Sequence, residues 1–265
     1  MTVLVSGAAS GIGRALTDAL VRQGHRVVAL DIRPIEAEDG VLPFRADVTR
    51  EEELRLVSEQ LRTRGVLLDT IVSAAGVHAM TSLVEGDTDT LRRLMDVNVL
   101  GTMLLCRTLH EHLRPRGRVV IVTSEVATLD PLPFNGLYSV SKAALDSYAQ
   151  ALRQELHLLG QTVVTVRPGA IDTPLCRTSL EATAALAAST ALYQRQATHF
   201  LALTRAFMGR PMPPERLARL LVRIITKRRV RYVYHKHRNV GLVLLSCLPI
   251  RLQCAIIRAL LNRRG

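Results

Sequence analysis

The stretch Thr2-Val3-Leu4-Val5-Ser6-Gly7-Ala8-Ala9-Ser10-Gly11-Ile12-Gly13 decides the fold. It opens on a short β-branched apolar run, breaks at a glycine-rich turn and continues from Ile12 to Gln23 with helical periodicity. A strand that is apolar throughout, without polar alternation, belongs in a parallel sheet covered on both faces. Gly7, Gly11 and Gly13 are spaced G-x-x-x-G-x-G. Glycines so placed let the backbone turn sharply and approach a pyrophosphate resting on the first amides of the next helix. Taken alone, they also fit, less well, a plain tight strand-to-helix turn.

Outward from this stretch the rhythm repeats. Strands are predicted at Thr2–Ser6, Arg26–Asp31, Leu42–Ala46, Thr70–Ala74, Arg118–Thr123, Thr162–Arg167 and Arg231–His235, with helices at Ile12–Gln23, Glu51–Arg64, Thr88–Leu113 and Leu137–Leu159. Alternating strands and helices with right-handed crossovers predict an α/β fold, a doubly wound parallel sheet of about seven strands with helices on both faces. From Leu175 to Arg210 the chain is rich in alanine and leucine and holds no strand. Residues 174–211 therefore read as a helical lid inside one Rossmann-type domain spanning 1–238, followed by a hydrophobic and basic tail at 239–265.

Composition narrows the functional classes. With 48% hydrophobic residues among 265, the chain holds enough apolar material for one large core. Aromatics are 3% and tryptophan is absent, which argues against a stacking surface for single-stranded nucleic acid, so no nucleic-acid partner is expected. The net charge of +12 peaks at Lys227-Arg228-Arg229-Val230-Arg231 and His235-Lys236-His237-Arg238, and recurs at Arg251, Arg258, Arg263 and Arg264. Cys106, Cys176, Cys247 and Cys254 show no paired spacing, so buried, reduced thiols and a cytoplasmic location are expected. His110/His112 and His235/His237 lack neighbouring ligands, and no metal site is expected. The apolar run from Val240 to Ile250 is too short to span a bilayer. With Pro249 dividing it from an arginine-bearing amphipathic helix, the tail either packs on the fold or on a neighbouring subunit, or lies at a membrane surface.

Two features carry chemistry. Tyr138-Ser139-Val140-Ser141-Lys142 sets a phenol and an ammonium at i and i+4, on one helix face. A nearby ammonium lowers a phenol's pKa and makes it a usable acid/base. Strand two ends in Asp31, about 20 residues beyond the glycines, where a carboxylate accepts ribose hydroxyls and repels a 2′-phosphate. No base stands at Ser10, so NAD is expected over NADP, although Arg33 partly offsets the repulsion.

These motifs together resemble the short-chain dehydrogenase/reductase family, single-domain type, over roughly residues 1–235. Ser6-Gly7-Ala8-Ala9-Ser10-Gly11-Ile12-Gly13 resembles the family's T-G-x-x-x-G-x-G turn, and Asp47-Val48 the pair that contacts adenine. Asn98 in Val97-Asn98-Val99-Leu100-Gly101 resembles the asparagine of the fourth helix. Thr123-Ser124 resembles the catalytic serine pair, Tyr138 and Lys142 follow at the family's interval, and Pro168-Gly169-Ala170-Ile171-Asp172-Thr173 resembles P-G-x-x-x-T. Ser73 in Ser73-Ala74-Ala75-Gly76 departs from the usual asparagine, which supports the central sheet.

The resemblance implies hydride transfer between a nicotinamide cofactor and a CH–OH group. It implies a catalytic set of Asn98, Ser124, Tyr138 and Lys142. The dinucleotide would be held by Gly7, Ser10, Gly11, Ile12, Gly13, Asp31, Asp47, Val48, Ala74, Gly76, Ile171 and Thr173, with Tyr138 and Lys142. It also implies a homodimer or homotetramer. In this reading Asn98 anchors a proton-relay water beside Lys142, and Lys142 lowers the Tyr138 pKa. The lid offers Leu175, Leu180, Leu186, Leu192, Tyr193, Phe200, Leu201 and Phe207. A small hydrophobic alcohol or ketone is the expected substrate. The competing reading, a non-catalytic dinucleotide-sensing regulator, would keep the glycine turn and have no reason to retain Asn98, Ser124, Tyr138 and Lys142.

Overall fold

A computed structural model describes residues 1–207 and 211–263, and the side chains of all of these except 206 and 207. Seven strands, β1 (Thr2–Ser6), β2 (Arg26–Asp31), β3 (Val41–Arg45), β4 (Leu68–Ser73), β5 (Leu113–Val122), β6 (Thr162–Pro168) and β7 (Val233–Lys236), form one sheet in the order β3-β2-β1-β4-β5-β6-β7. Every pairing is parallel. The chain reverses direction across the sheet between β1 and β4, the switch point where ligands of open α/β sheets bind, at the carboxyl ends of the strands.

Helices cover both faces because the strands are apolar on both. On one side α1 (Gly11–Val21) and α8 (Pro214–Thr226) bury Leu16, Leu20, Leu217 and Leu221 against Val3, Val5, Val120 and Val164. On the other, α2 (Glu51–Thr63), α4 (Gly101–Leu109) and α5 (Gly136–Leu158) bury Leu54, Leu61, Leu105, Leu109 and Leu145 against Leu4, Val28, Ile71 and Ile121.

The helix predicted over Thr88–Leu113 is broken. α3 (Thr88–Met95) passes into a π-turn at Asp96–Leu100, then α4, then a 3₁₀ turn at His110–His112. The wider turn contains Asn98, which is fully buried with its side chain committed to other elements. The strand ends predicted at Thr70, Arg118 and Arg231 shift to Leu68, Leu113 and Val233.

The segment expected to form a lid folds as α6 (Pro174–Ser189) and α7 (Gln194–Phe207); residues 208–210 and the Phe207 side chain lie outside the described residues. α6 starts at Thr173, whose hydroxyl accepts from the Cys176 amide at 3.4 Å, with Pro174 in the first turn. The tail forms α9 (Val240–Ser246) and α10 (Ile250–Leu261). Leu261 and Ile257 of α10 pack with Phe134, Ala197 and Phe200 of the lid side. The thiols are not uniformly buried as expected. Cys106 is buried and Cys176 partly so, whereas Cys247 and Cys254 are exposed, because the tail's inner face is already filled by its leucines and isoleucines.

Ser73 keeps a link to the central sheet despite its smaller side chain. Its hydroxyl meets Thr102 Oγ1 at 2.9 Å, and that hydroxyl also donates to the Asn98 carbonyl at 3.2 Å, tying β4 to the start of α4. Ser73→Ala is predicted to lower stability by about 1 kcal/mol, the usual worth of one buried hydrogen bond. A urea midpoint equal to wild type would show that the link contributes nothing.

Candidate active site

At the carboxyl edge of the sheet one cavity of about 1090 Å³ gathers residues from all the strand ends. The glycine turn forms its floor. Gly7 and Gly11 have φ of +72° and +54°, left-handed values that disfavour any side chain. Ser10 at the helix N-cap makes no side-chain capping bond, and the first turn of α1 carries no acidic residue. The leading amides of α1 thus lack a side-chain acceptor and carry the positive end of the helix dipole. This is the donor set a pyrophosphate requires, and the turn fits it.

The adenosine end follows from β2 and β3. The Asp31 carboxylate accepts from the Ala9 amide at 3.0 Å and from the Arg33 amide at 2.9 Å. The Arg33 guanidinium lies 3.5 Å from Asp31 and donates to Ser10 Oγ at 2.6 Å, so cation and carboxylate sit together over the turn. Asp47 accepts from both the Thr49 amide and hydroxyl, which holds Val48 in the wall.

Beyond the switch point the residues expected to carry acid/base chemistry converge. Ser124 follows β5, and its hydroxyl oxygen accepts from the Val126 amide at 3.4 Å, leaving the proton to donate elsewhere. Tyr138 and Lys142 stand on successive turns of α5, with Lys142 Nζ 5.7 Å from the centre of the phenol ring. Burial raises the Tyr138 pKa to about 12, opposed by its hydrogen bond with Ser124. Burial lowers the Lys142 pKa to about 8. The net shift of the tyrosine is upward and not the lowering expected: Nζ sits over the ring, and desolvation of the phenolate is the largest influence.

Of the residues singled out above, Gly7, Ser10, Gly11, Ile12, Asp31, Asp47, Val48, Ala74, Gly76, Ser124, Tyr138, Lys142, Ile171 and Thr173 line this one cavity. Gly13 and Asn98 stand behind it. A Cβ on Gly13 would lie 2.1 Å from the Gly7 carbonyl oxygen, so glycine is needed there for α1 to close on the turn. Asn98 Oδ1 accepts from the Val77 amide at 2.9 Å, and Nδ2 donates to the Val77 carbonyl and to Ser141 Oγ, each at 3.0 Å. The amide is thus fully used in bracing the loop after β4 against α5. Of the lid side chains, Leu175 and Phe200 line the cavity, Leu186 and Tyr193 pack beneath the lid, and Leu192 is exposed.

Two wall residues escaped the sequence. His78 stacks on Tyr138 with ring centres 4.3 Å apart, and its Nε2 lies 3.1 Å from Asn135 Oδ1. Burial lowers its pKa to about 4, so it is a neutral imidazole. Glu125, next to Ser124, is buried and accepts from the Asn239 amide at 2.6 Å, with burial raising its pKa. Adjacency to Gly76-Val77 and to Ser124 was the only signal for either.

The model of the short chain dehydrogenase family matches residues 1–184, and the chain belongs to that family. Among relatives, the L-fucose dehydrogenase of Oryctolagus cuniculus is 35% identical over 182 residues, 65% of this chain and 63% of that protein, less than two thirds of its length. In overall shape, a short chain dehydrogenase from Burkholderia cenocepacia in complex with NADP superposes with a TM-score of 0.72 at 20% identity, covering 99% of this chain and 98% of that one. A 3-ketoacyl-(acyl-carrier-protein) reductase from Brucella melitensis complexed with NADH gives 0.71 at 23% identity, covering 89% and 95%. The chain is thus an oxidoreductase of a family that acts on CH–OH groups with NAD or NADP.

The lowered Lys142 pKa sets a pH dependence. A base with a depressed pKa is charged below that value and neutral above it. Carbonyl reduction leaves a phenolate behind, which the ammonium stabilises. Reductive turnover is therefore predicted to hold through neutral pH and to fall as pH rises through about 8. A pH–rate profile of Lys142→Met should lose that limb; an unchanged limb would assign it to another group.

Proposed function

We propose that the protein interconverts a hydrophobic secondary alcohol and its ketone, or a primary alcohol and its aldehyde, at this cavity, using NAD in preference to NADP. The observation that carries the reading is that Ser124, Tyr138 and Lys142 share one cavity with the uncapped amides of α1. When bound, the nicotinamide supplies the hydride acceptor or donor. Ser124 donates a hydrogen bond to the substrate oxygen and stabilises charge developing there. The Tyr138 phenol, protonated at neutral pH, delivers its proton to the carbonyl oxygen in reduction and takes the alcohol proton in oxidation. Lys142 balances the phenolate and holds the ribose hydroxyls. Asn98 acts as a positioning residue, fixing Val77 and Ser141 and so the depth at which Lys142 stands.

A hydrophobic substrate is supported by Met80, Leu132, Leu175, Phe200 and Leu242 in the wall away from the glycine turn. Leu100, in the π-turn that leads into α4, and Val140 on α5 are both exposed, which suits a homodimer or homotetramer. The four free thiols suit a reducing compartment such as the cytoplasm.

Two measurements test this. Tyr138→Phe should keep cofactor binding and lose on the order of 10²–10⁴-fold in turnover across a panel of hydrophobic alcohols and ketones, the usual worth of acid/base catalysis. A variant retaining most of its rate would sink the assignment. For the cofactor, wild type should show the higher kcat/KM with NAD(H). Asp31→Ser should raise use of NADP(H) roughly tenfold, by removing the charge repulsion and freeing Arg33. Wild-type preference for NADP(H) would show that Arg33 governs the pocket.

A further inference from the structure

The basic charge of this chain is confined to one end. Of its 35 lysines and arginines, 13 follow Glu215, and no aspartate or glutamate occurs after that residue. The first 215 residues hold the other 22 against all 23 acidic residues, so that part is nearly neutral and the whole excess of +12 belongs to the last 50 residues. The same segment carries an exposed apolar face.

The tail's inner side is fixed to the fold. Gln253 Nε2 donates to Asp130 at 2.9 Å, Gln196 donates to Asn262 Oδ1 at 2.7 Å, and His199 Nδ1 lies 2.8 Å from the Leu261 carbonyl oxygen. Its outer side presents apolar side chains to solvent among the described residues. Val240 and Leu244 on α9 are 68% and 63% exposed, and Ile250 at the start of α10 is 71% exposed. Arg251 and Arg258 are exposed beside them. Folded helices with leucine and isoleucine outward, carrying arginines and no acid of their own, match an interface whose surface is anionic and whose interior is hydrocarbon. A nucleic acid would satisfy the arginines but not the leucines. A second copy meeting this face about a twofold axis would set its arginines against the same arginines.

We infer that this face docks on an anionic lipid bilayer, with Val240, Leu244 and Ile250 among the acyl chains and Arg251 and Arg258 at the headgroups. α9 is also a wall of the cavity, through Asn239 and Leu242. Docking would bring that wall to the membrane interface, where an apolar substrate concentrates. The proposal stands on the tail alone, and its test reads location without turnover.

The test is co-sedimentation of the full chain with phosphatidylcholine vesicles, with and without phosphatidylserine, at low and high salt. The chain should pellet with the phosphatidylserine vesicles and be released by salt. Arg251→Glu with Arg258→Glu, and separately Leu244→Glu with Ile250→Glu, should each lower partitioning on the order of tenfold or more. Far-UV dichroism and the thermal midpoint should stay at the wild-type values. A full chain left in the supernatant with anionic vesicles at low salt overturns the proposal. So does pelleting that neither double substitution reduces. Sedimentation velocity and a duplex-DNA shift assay, run beside it, identify a second copy or a nucleic acid as the occupant if one of those contacts disappears in the variants while vesicle binding is absent.

Discussion

The approach of α1 to the end of β1 is the constraint on which the rest depends. Gly13 has no room for a side chain against the Gly7 carbonyl, and a Cβ on Gly7 would lie 2.8 Å from the Ala75 amide nitrogen. From this one turn the neighbouring strand ends are tied in. The Asp31 carboxylate at the end of β2 accepts from the Ala9 amide, and Ser6 Oγ accepts from the amides of Ala74 and Ala75 beyond β4, each at 3.2 Å. Thr173, beyond β6, packs on Gly11, where an added Cβ would come within 3.1 Å. The contacts that make the phosphate cradle therefore also align β1, β2, β4 and β6. A side chain here would disturb binding and folding together.

The second constraint is desolvation of the proposed acid/base pair, with Lys142 buried and Tyr138 partly so. A phenol with its pKa raised stays protonated at neutral pH but is a weaker acid, so it holds the proton ready and gives it up only where charge developing on the acceptor oxygen draws it off. In either direction a phenolate must be tolerated, and in the proposed mechanism its stabilisation falls to the Ser124 hydroxyl and the Lys142 ammonium. The burial of Lys142 removes water that would compete for its ammonium protons and leaves them directed at the cavity. His78, neutral against the Tyr138 ring, adds no cation that would repel Lys142.

Much of this was legible in the residues, and the reason is local. Strand runs such as Arg26–Asp31 and Thr162–Arg167 are rich in β-branched apolar residues, so their number and places along the chain follow from the local pattern. The glycine turn and the Tyr138–Lys142 spacing are short-range patterns whose geometry depends on few other residues. What escaped depends on contacts between distant segments. The π-turn at Asp96–Leu100 accompanies the bonds Asn98 makes to Val77 and Ser141, 21 and 43 residues away. The lid lining depends on which side of α6 and α7 meets Phe134 and α10, and both helices are apolar on more than one side. The sign of the Tyr138 shift needed the depth of its burial, which no spacing reveals.

Glu125 shows why the tail and the site form one object. Its carboxylate accepts from the Asn239 amide, where the tail begins, while the preceding residue is Ser124. A Cβ on Gly169 would fall 2.9 Å from Glu125 Oε1 and closer still to the His237 carbonyl oxygen, so glycine there lets three segments meet. Burying a carboxylate is costly unless its oxygens are bonded, and the bond it finds is to the chain that leads into α9. Any force that moves α9 is therefore applied, through Asn239 and Glu125, to the residue beside Ser124. The cavity wall is set as much by where the tail rests as by the sheet beneath it.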